Sequence, residues 1–346
     1  MERVILGMSG GVDSSVAAIL LKEQGYEVVG VTFIFTDNYD TYDAVNVCKN
    51  LNIEHHIIDL RKEFKNDVID KFIFDYSKGF TPNPCVLCNK VAKFKYLYEY
   101  MNKYNCNYVA TGHYARIIDN KLFKSVDEKK DQTYFLCNIK KEQLKKTLFP
   151  LEGITKDRVR KIALENNLIN ADKKDSTDVC FINSKFNEYI KSKINDKNGP
   201  VINIEDKNTV GTHTGLSRYT IGQRRGLNIG GNNERMYVVG KNYDKNILYV
   251  AFGDNTDYLI SNACLLENSN WLVEDKKINY TAKFRYMSKE IPVEIKWINN
   301  EIYVTYESGA KAVTKGQTCA IYDGNMCVGG GTISEIYKNN KKLWYL

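Results

Sequence analysis

The run Ser9-Gly10-Gly11-Val12-Asp13-Ser14-Ser15 constrains this chain more than any other stretch. The apolar triplet Val4-Ile5-Leu6 leads into it as a buried strand, and Val16 to Leu21 leads out as the first turns of a helix that stops at Gly25. Two adjacent glycines between strand and helix allow backbone geometry and close approach that a Cβ forbids, so their N–H groups can converge on an anion. The helix N-terminus behind them adds partial positive charge. No Lys follows the glycines, which excludes the GxxxxGK[ST] phosphate loop, and the GxGxxG spacing of a dinucleotide fold is absent. A bare Gly-Gly turn serves packing as readily as binding. Three serines and an aspartate make this one more specific, because they add hydroxyl donors and an acceptor on the Mg²⁺ side of a phosphate site. The candidate nucleotide-binding residues are therefore Gly7, Met8, Ser9, Gly10, Gly11, Val12, Asp13 and Ser14.

The residues that follow repeat the strand and helix alternation. Val28 to Phe35 is a near-continuous apolar run, as expected for a strand buried on both faces of a parallel sheet. A helical stretch from Asp40 to Leu51 and a strand from His55 to Asp59 come next, and the pattern predicts a doubly wound α/β sheet. Ligands of such sheets sit beyond the carboxyl ends of the strands. That places Gly10-Gly11, Asp37, Asp59 and the Gly112 that ends a fourth strand from Tyr108 on one rim. Phe33, near the end of the second strand, is either an adenine-lining ring or core. Asn195 to Pro200 is a polar Gly-Pro linker, and beyond it the period becomes alternating. Hairpins are expected around Asp244, at Asn299-Asn300 and at Asp323-Gly324. The expected domains are 1–195, a nucleotide domain; 196–262, a small β domain; and 263–346, an antiparallel β barrel.

At 346 residues and 43% hydrophobic content the chain predicts two or three packed domains. No basic-then-apolar leader precedes the first strand and no run is long enough for a membrane span, so a cytoplasmic protein without membrane partners is expected. Its nine cysteines are then thiols, metal ligands or catalytic groups before they are disulfides. Thr81-Pro82-Asn83-Pro84-Cys85-Val86-Leu87-Cys88-Asn89 reads as a stiffened loop presenting two of them. Cys180 lies in an apolar run where a lone cysteine is usually a small buried hydrophobe. Cys48, Cys106, Cys137, Cys264, Cys319 and Cys327 show no paired spacing and are expected to be packing. A net charge of +7 fits a polyanionic partner, and Arg218-Tyr219, Gln223-Arg224-Arg225 and Lys283-Phe284-Arg285-Tyr286 interleave cations with rings suited to phosphate contact and base stacking.

SGGVDSS resembles the signature of the PP-loop ATP pyrophosphatases, which cleave ATP between the α and β phosphates. Taken together, SGGVDSSV, TPNPCVLCNKVAKF, ATGHYAR, KDQTYFL, KKDSTDVCFI, GLSRYTIGQRRGLNIGG and YDGNMCVGGGTI resemble, in order and over nearly the full length, the bacterial tRNA 2-thiouridylase family. The resemblance implies ATP and Mg²⁺, a tRNA substrate whose wobble uridine exchanges its C2 oxygen for sulfur, and a sulfur donor such as a cysteine desulfurase or a sulfur relay protein. It gives Cys88 the attacking role and Cys180 the persulfide. It also implies tRNA contacts at Asp131 and Gln132 and at Gln317, and Asn83, Pro84, Cys85 and Lys130 in the same motifs are tRNA-contact candidates with them; His113, after a Gly at a strand end, is a candidate for tRNA or nucleotide, and Arg224, Arg225, Arg285 and Tyr286 join on their charge and rings.

One position departs from the family pattern, which usually has an aspartate where this chain has Cys85. A thiol does not replace a carboxylate at its usual pKa. Cys85, Cys88 and Cys180 then form three soft candidate ligands for a 4Fe–4S cluster, with Zn²⁺ the competing metal. The alternative is an ordinary persulfide route with Cys85 tolerated or resolving a disulfide. Competing functions are a PP-loop amide ligase or amidotransferase, which leaves the cysteines without purpose, and a zinc-containing RNA-binding protein, which ignores the ATP loop.

Overall fold

A computed structural model of the chain describes residues 1–175, 179–182, 184–227, 235–253, 256–299 and 301–346. Ser176, Thr177 and Asp178, the Asn228-Ile229-Gly230-Gly231 end of the basic motif, and Asn300 lie outside the described residues.

The first apolar run forms β1 (Arg3–Gly7), followed by helix α1 (Val12–Glu23), β2 (Glu27–Ile34), helix α2 (Tyr42–Asn50) and β3 (Glu54–Asp59). Later come β4 (Tyr108–Ala110), a hairpin of β5 (Ala115–Ile118) and β6 (Lys121–Lys124), and β7 (Thr147–Leu148). Five of these make a parallel sheet in the order β3-β2-β1-β4-β7. Strand alternation sends Val4 and Leu6 to one face, where they pack with Val16 and Ala17 of α1, Val47 of α2, and Val159 of the Lys156–Glu165 helix. Ile5 points the other way, into a core with Phe64, Phe72, Leu97 and Met101 from the helices of residues 61–77 and 84–103. Both faces are covered, which is why β1 and β2 read as continuous apolar runs. The chain leaves β1 toward β2 and β3 and returns to β4 on β1's other side, so the loops after β1 and β4 face each other at a topological switch point.

The TPNPC stretch is not wholly loop. Asn83 accepts from the backbone N–H of Cys85 at 3.2 Å and of Val86 at 3.3 Å, Pro84 occupies the first helical turn, and a helix runs over Pro84–Cys88. A π turn at Asn89–Lys93 follows directly and leads into Phe94–Lys103.

Beyond the linker, β8 (Gly199–Asn203), β9 (Thr209–His213), β10 (Met236–Asn242) and β11 (Ile247–Phe252) form a four-stranded sheet ordered β10-β11-β8-β9. The expected hairpin around Asp244 is β10 and β11. Gly199 and Pro200, expected in a linker, already belong to β8. The last six long strands are β12 (Ile260–Trp271), β13 (Asn279–Lys283), β14 (Ile291–Ile298), β15 (Glu301–Lys311), β16 (Thr318–Asp323) and β17 (Met326–Lys338). They pair antiparallel in the order β12-β15-β14-β13-β16-β17, and β17 pairs back with β12, closing a barrel without free edges. Gly324, at φ +58°, makes the β16–β17 turn that Asp323-Gly324 predicts. Hairpin strand β6 joins this sheet beside β17, pairing Leu122 with Cys327 and Phe123 with Met326. Among the described residues no helix is long and apolar enough to cross a membrane.

Candidate active site

The loop after β1 is held from behind by its own side chains. Gly10 takes φ +73°, and Ser14 Oγ donates to the Gly11 carbonyl at 3.0 Å while lying 3.2 Å from Ser9 Oγ. Ser15 Oγ donates to the same carbonyl at 3.1 Å. Asn170, buried, donates to the Gly10 carbonyl at 3.1 Å and to Ser15 Oγ at 3.0 Å. The Ser14 and Ser15 hydroxyls are spent on these carbonyls, so what the loop keeps for an anion is the Ser9 side chain and the amides at the start of α1. A Cβ on Gly112 would lie 2.9 Å from Asp13 C and Ser14 N, so the loop after β4 presses backbone to backbone against the start of α1. Asp13 Oδ1 accepts from Tyr114 OH and from Lys156 Nζ, both at 2.7 Å. The Ser9 hydroxyl, these amides and one part-exposed carboxylate fit a magnesium-bound triphosphate, with Asp13 the group that would hold the metal.

The cysteines reach the same rim. Cys85 and Cys180 are exposed and Cys88 is half-buried, and the other six are buried as expected for packing. Desolvation pushes the Cys88 thiol up to about 12, opposed by Lys93 and reinforced by Cys180 and Cys85. Desolvation also raises Cys180, with Cys85 adding to it and Lys93 opposing. These mutual effects put all three thiols near one another and near the Lys93 ammonium, although Cys180 is remote in sequence. Tyr39 links that neighbourhood to the ATP loop: its hydroxyl donates to the Ser9 carbonyl at 3.1 Å, and its pKa is raised to about 12, first by burial and then by Cys180. Lys93 Nζ lies 3.4 Å from His113 Nε2, and His113 Nδ1 lies 2.8 Å from Thr111 Oγ1. Burial, then Lys93, holds His113 well below its ordinary pKa, so it is neutral and accepts from the ammonium.

Among the described residues, no group of three or more His, Cys, Asp or Glu is placed to hold a metal ion. Desolvation raises Cys85 as well as Cys88 and Cys180. Among the described residues the three thiols therefore form no ready ligand set for a single metal ion.

The description "tRNA methyl transferase HUP domain" matches residues 2–184, "tRNA methyl transferase PRC-barrel domain" matches 187–252, and "Aminomethyltransferase beta-barrel domain" matches 261–333. The "tRNA-specific 2-thiouridylase MnmA" of Mycoplasmopsis synoviae is 44% identical over 371 residues, covering 100% of this chain and 99% of the relative. That of Oceanobacillus iheyensis is 44% identical over 365 residues, covering 99% of this chain and 98% of the relative. The chain belongs to the tRNA-specific 2-thiouridylase family. A 4-thiouridine synthetase solved with RNA and ATP aligns with a TM-score of 0.35 and 18% identity over 52% of this chain and 44% of that one.

Within this 2-thiouridylase framework the expected tRNA-contacting residues divide into two sets. Arg224 and Arg225 are exposed. Tyr286 packs at a 41° tilt against Phe135 with ring centroids 4.4 Å apart, and Asn89, directly after Cys88, donates to the Phe135 carbonyl at 3.0 Å. The rest are engaged by the protein. Asp131 is buried and accepts from Ser125 N at 3.1 Å and Thr133 Oγ1 at 2.8 Å. Gln132 Oε1 accepts from Tyr114 N at 2.9 Å. Arg285 Nη2 donates to the carbonyls of Ile221 at 3.1 Å and Ala312 at 2.8 Å, and Gln317 Nε2 donates to the Thr81 carbonyl at 2.6 Å. Lys130 Nζ lies 2.6 Å from Asp175, and Pro84 is buried behind the capped turn. Phe33 is 6% exposed and packs against Phe35, Tyr96 and Tyr100, which makes it core. Asp37 and Asp59 do share the rim, where Arg61 bridges them at 2.7 and 2.6 Å.

Sequence reasoning missed Tyr39, Lys93, Tyr114, Lys156 and Asn170. One signal was available. Lys156 opens a helix capped by Thr155, where a cation opposes the positive end of the helix dipole, so something other than helix stability keeps it there.

Proposed function

We propose that the chain 2-thiolates the wobble uridine of tRNA at the expense of ATP. The observation that supports this reading is Tyr39, whose hydroxyl donates to the Ser9 carbonyl of the loop while its pKa is raised in part by Cys180, so the candidate phosphate loop and the thiols lie near one another. A uridine carbonyl is a poor electrophile with a poor leaving group, so both halves are needed. The amides at the start of α1 and the Ser9 hydroxyl would grip the β and γ phosphates, with Asp13 holding Mg²⁺, whose role would be to neutralise charge on the phosphates. Attack of the uridine oxygen on the α-phosphorus expels pyrophosphate and turns that oxygen into AMP. The terminal sulfur of a Cys180 persulfide then attacks C2, and AMP leaves. Cys88, whose thiol must give up its proton as it attacks, takes the inner Cys180 sulfur into a disulfide, and the transferred sulfur stays on uridine with electrons balanced. A dithiol reductant resets the pair. No step runs through an iron–sulfur cluster.

On this reading residues 1–195 carry the chemistry, 196–262 form the connecting β domain, and the barrel of 263–346 contacts tRNA. The donor that charges Cys180 is a cysteine desulfurase or a sulfur relay protein, and the site of action is the cytoplasm. Incubation with ATP, a sulfur donor and unmodified tRNA should yield AMP, pyrophosphate and 2-thiouridine. Cys88→Ala and Cys180→Ala should each abolish thiouridine, and retained activity in either overturns that residue's role.

A further inference from the structure

A buried ammonium lies between the ATP loop and Asp175, shared by two carboxylates. Lys156 is 7% exposed, and its Nζ lies 2.7 Å from Asp13 Oδ1 and 2.8 Å from Asp175 Oδ1. Its backbone N–H donates to Asp127 at 2.9 Å, which fixes where the side chain starts. Asp13 is the carboxylate of the loop, and Asp175 precedes Cys180 by five residues in the sequence. Asp175 is also gripped by Lys130 at 2.6 Å and Arg160 at 2.9 Å. Burial works to raise the Asp175 pKa, but bonds from Lys130 and Lys156 outweigh it and hold it at about 2. A buried charge of this kind is stable only while its partners remain in place, and removing one leaves an uncompensated ion.

We propose that Lys156 is a positioning residue that couples occupancy of the ATP loop to the placement of the Cys180 segment. With the loop empty, one ammonium ties Asp13 to Asp175. A polyphosphate arriving at the loop competes with both carboxylates for that ammonium, and a divalent cation competes for Asp13, so the tie to Asp175 must rearrange. Adenylation chemistry and delivery of sulfur are thereby put in sequence by one shared side chain. The inference rests on the ATP-dependent reading above for its setting.

The test measures the rate of iodoacetamide alkylation at Cys180 by peptide mass spectrometry, with and without Mg²⁺ and a non-hydrolysable ATP analogue, while calorimetry reports analogue binding. The native chain should change its Cys180 rate about fivefold or more on binding, the lower end of ordinary coupling between sites. Lys156→Met should lose that response while still melting cooperatively, and Lys156→Arg should restore it. Should Lys156→Met fail to fold, Asp175→Asn breaks the same tie from the other side and must lose the response too. Analogue binding with no rate change in the native chain, or an intact response in a folded Lys156→Met or Asp175→Asn protein, overturns the coupling. Absence of analogue binding to the native chain contradicts the ATP reading itself.

Discussion

Asp175 concentrates more charge than any other single residue near the site, and its titration has a definite sign. Its pKa is about 2 in the folded protein against an ordinary value near 3.8. A depressed carboxyl contributes stability that is complete above the ordinary value and is lost as pH falls toward 2, on the order of 2 kcal/mol in all. Thermal melts of the native chain and Asp175→Asn should therefore differ between pH 5 and 7 and converge between pH 4 and 2; a gap constant with pH would contradict the ion-pair account. Gly112 makes a steric claim of the same scale. The atoms a Cβ would strike at 2.9 Å are backbone, which cannot rotate away. Gly112→Ala should cost about 1–3 kcal/mol of stability, as overpacking does, and pyrophosphate release should fall with it. Gly10 and Gly112 were legible because a glycine at a strand end has few other reasons to be there. Asn170 and Lys156 were not, since a polar residue in a helix or turn reads as solvated until the neighbouring chain is seen to cover it.

Secondary elements were legible where periodicity is strong, as in β1, β2, α2 and the hairpin of β10 and β11. The pattern misled where a cap decides the outcome. TPNPC looks like loop because of its prolines, yet Asn83 capping and Pro84 at the first turn start a helix there, and the π turn that follows carries Lys93 toward the thiols. Strand β10 holds a second surprise. Lys241 donates its backbone N–H to the Tyr345 carbonyl at 2.9 Å, and its amine is inaccessible and has no hydrogen-bond partner among the described residues. No local pattern announces that a C-terminal segment covers this lysine. Burial, opposed by Asp196, lowers its pKa to about 7. The unfolded chain then binds more protons than the folded one between pH 7 and about 10.4, so stability rises with pH across that window. Lys241→Met should stabilise the protein at pH 7 by roughly 1–3 kcal/mol, the cost of a buried unsatisfied group, and the gain should shrink toward pH 10 in denaturant melts. A destabilised variant at pH 7 would show that the amine has a partner after all.

Across the whole molecule, contacts distant in sequence fix the working geometry. Strand β6 of the first domain joins the barrel sheet, Gln317 of the barrel region holds Thr81 ahead of the cysteine turn, and Arg285 ties the barrel to Ile221 of the middle domain. The α/β class and the barrel were legible from element order and alternation; the closure of β12 on β17 and the borrowing of β6 were not, because pairing partners so far apart leave no local period. The meeting of Cys180 with Cys88 is of the same kind, and only the family resemblance pointed to it. Arg224 and Arg225 stand on the exposed surface, so their joint replacement by alanine should weaken tRNA binding and reduce the salt slope by about one for each phosphate they neutralise. An unchanged slope would remove them from the tRNA footprint.

The central claim joins the ATP loop to the thiol cleft in a single reaction, and one reaction mixture addresses it. Purified protein is given unmodified tRNA, ATP with Mg²⁺, and a persulfide-charged sulfur donor, with S-adenosylmethionine replacing ATP and donor in a parallel sample. The account predicts AMP, pyrophosphate and 2-thiouridine in matching amounts in the first sample and unmodified tRNA in the second. Thiouridine formed without ATP cleavage, or methylated tRNA in the second sample, would contradict it.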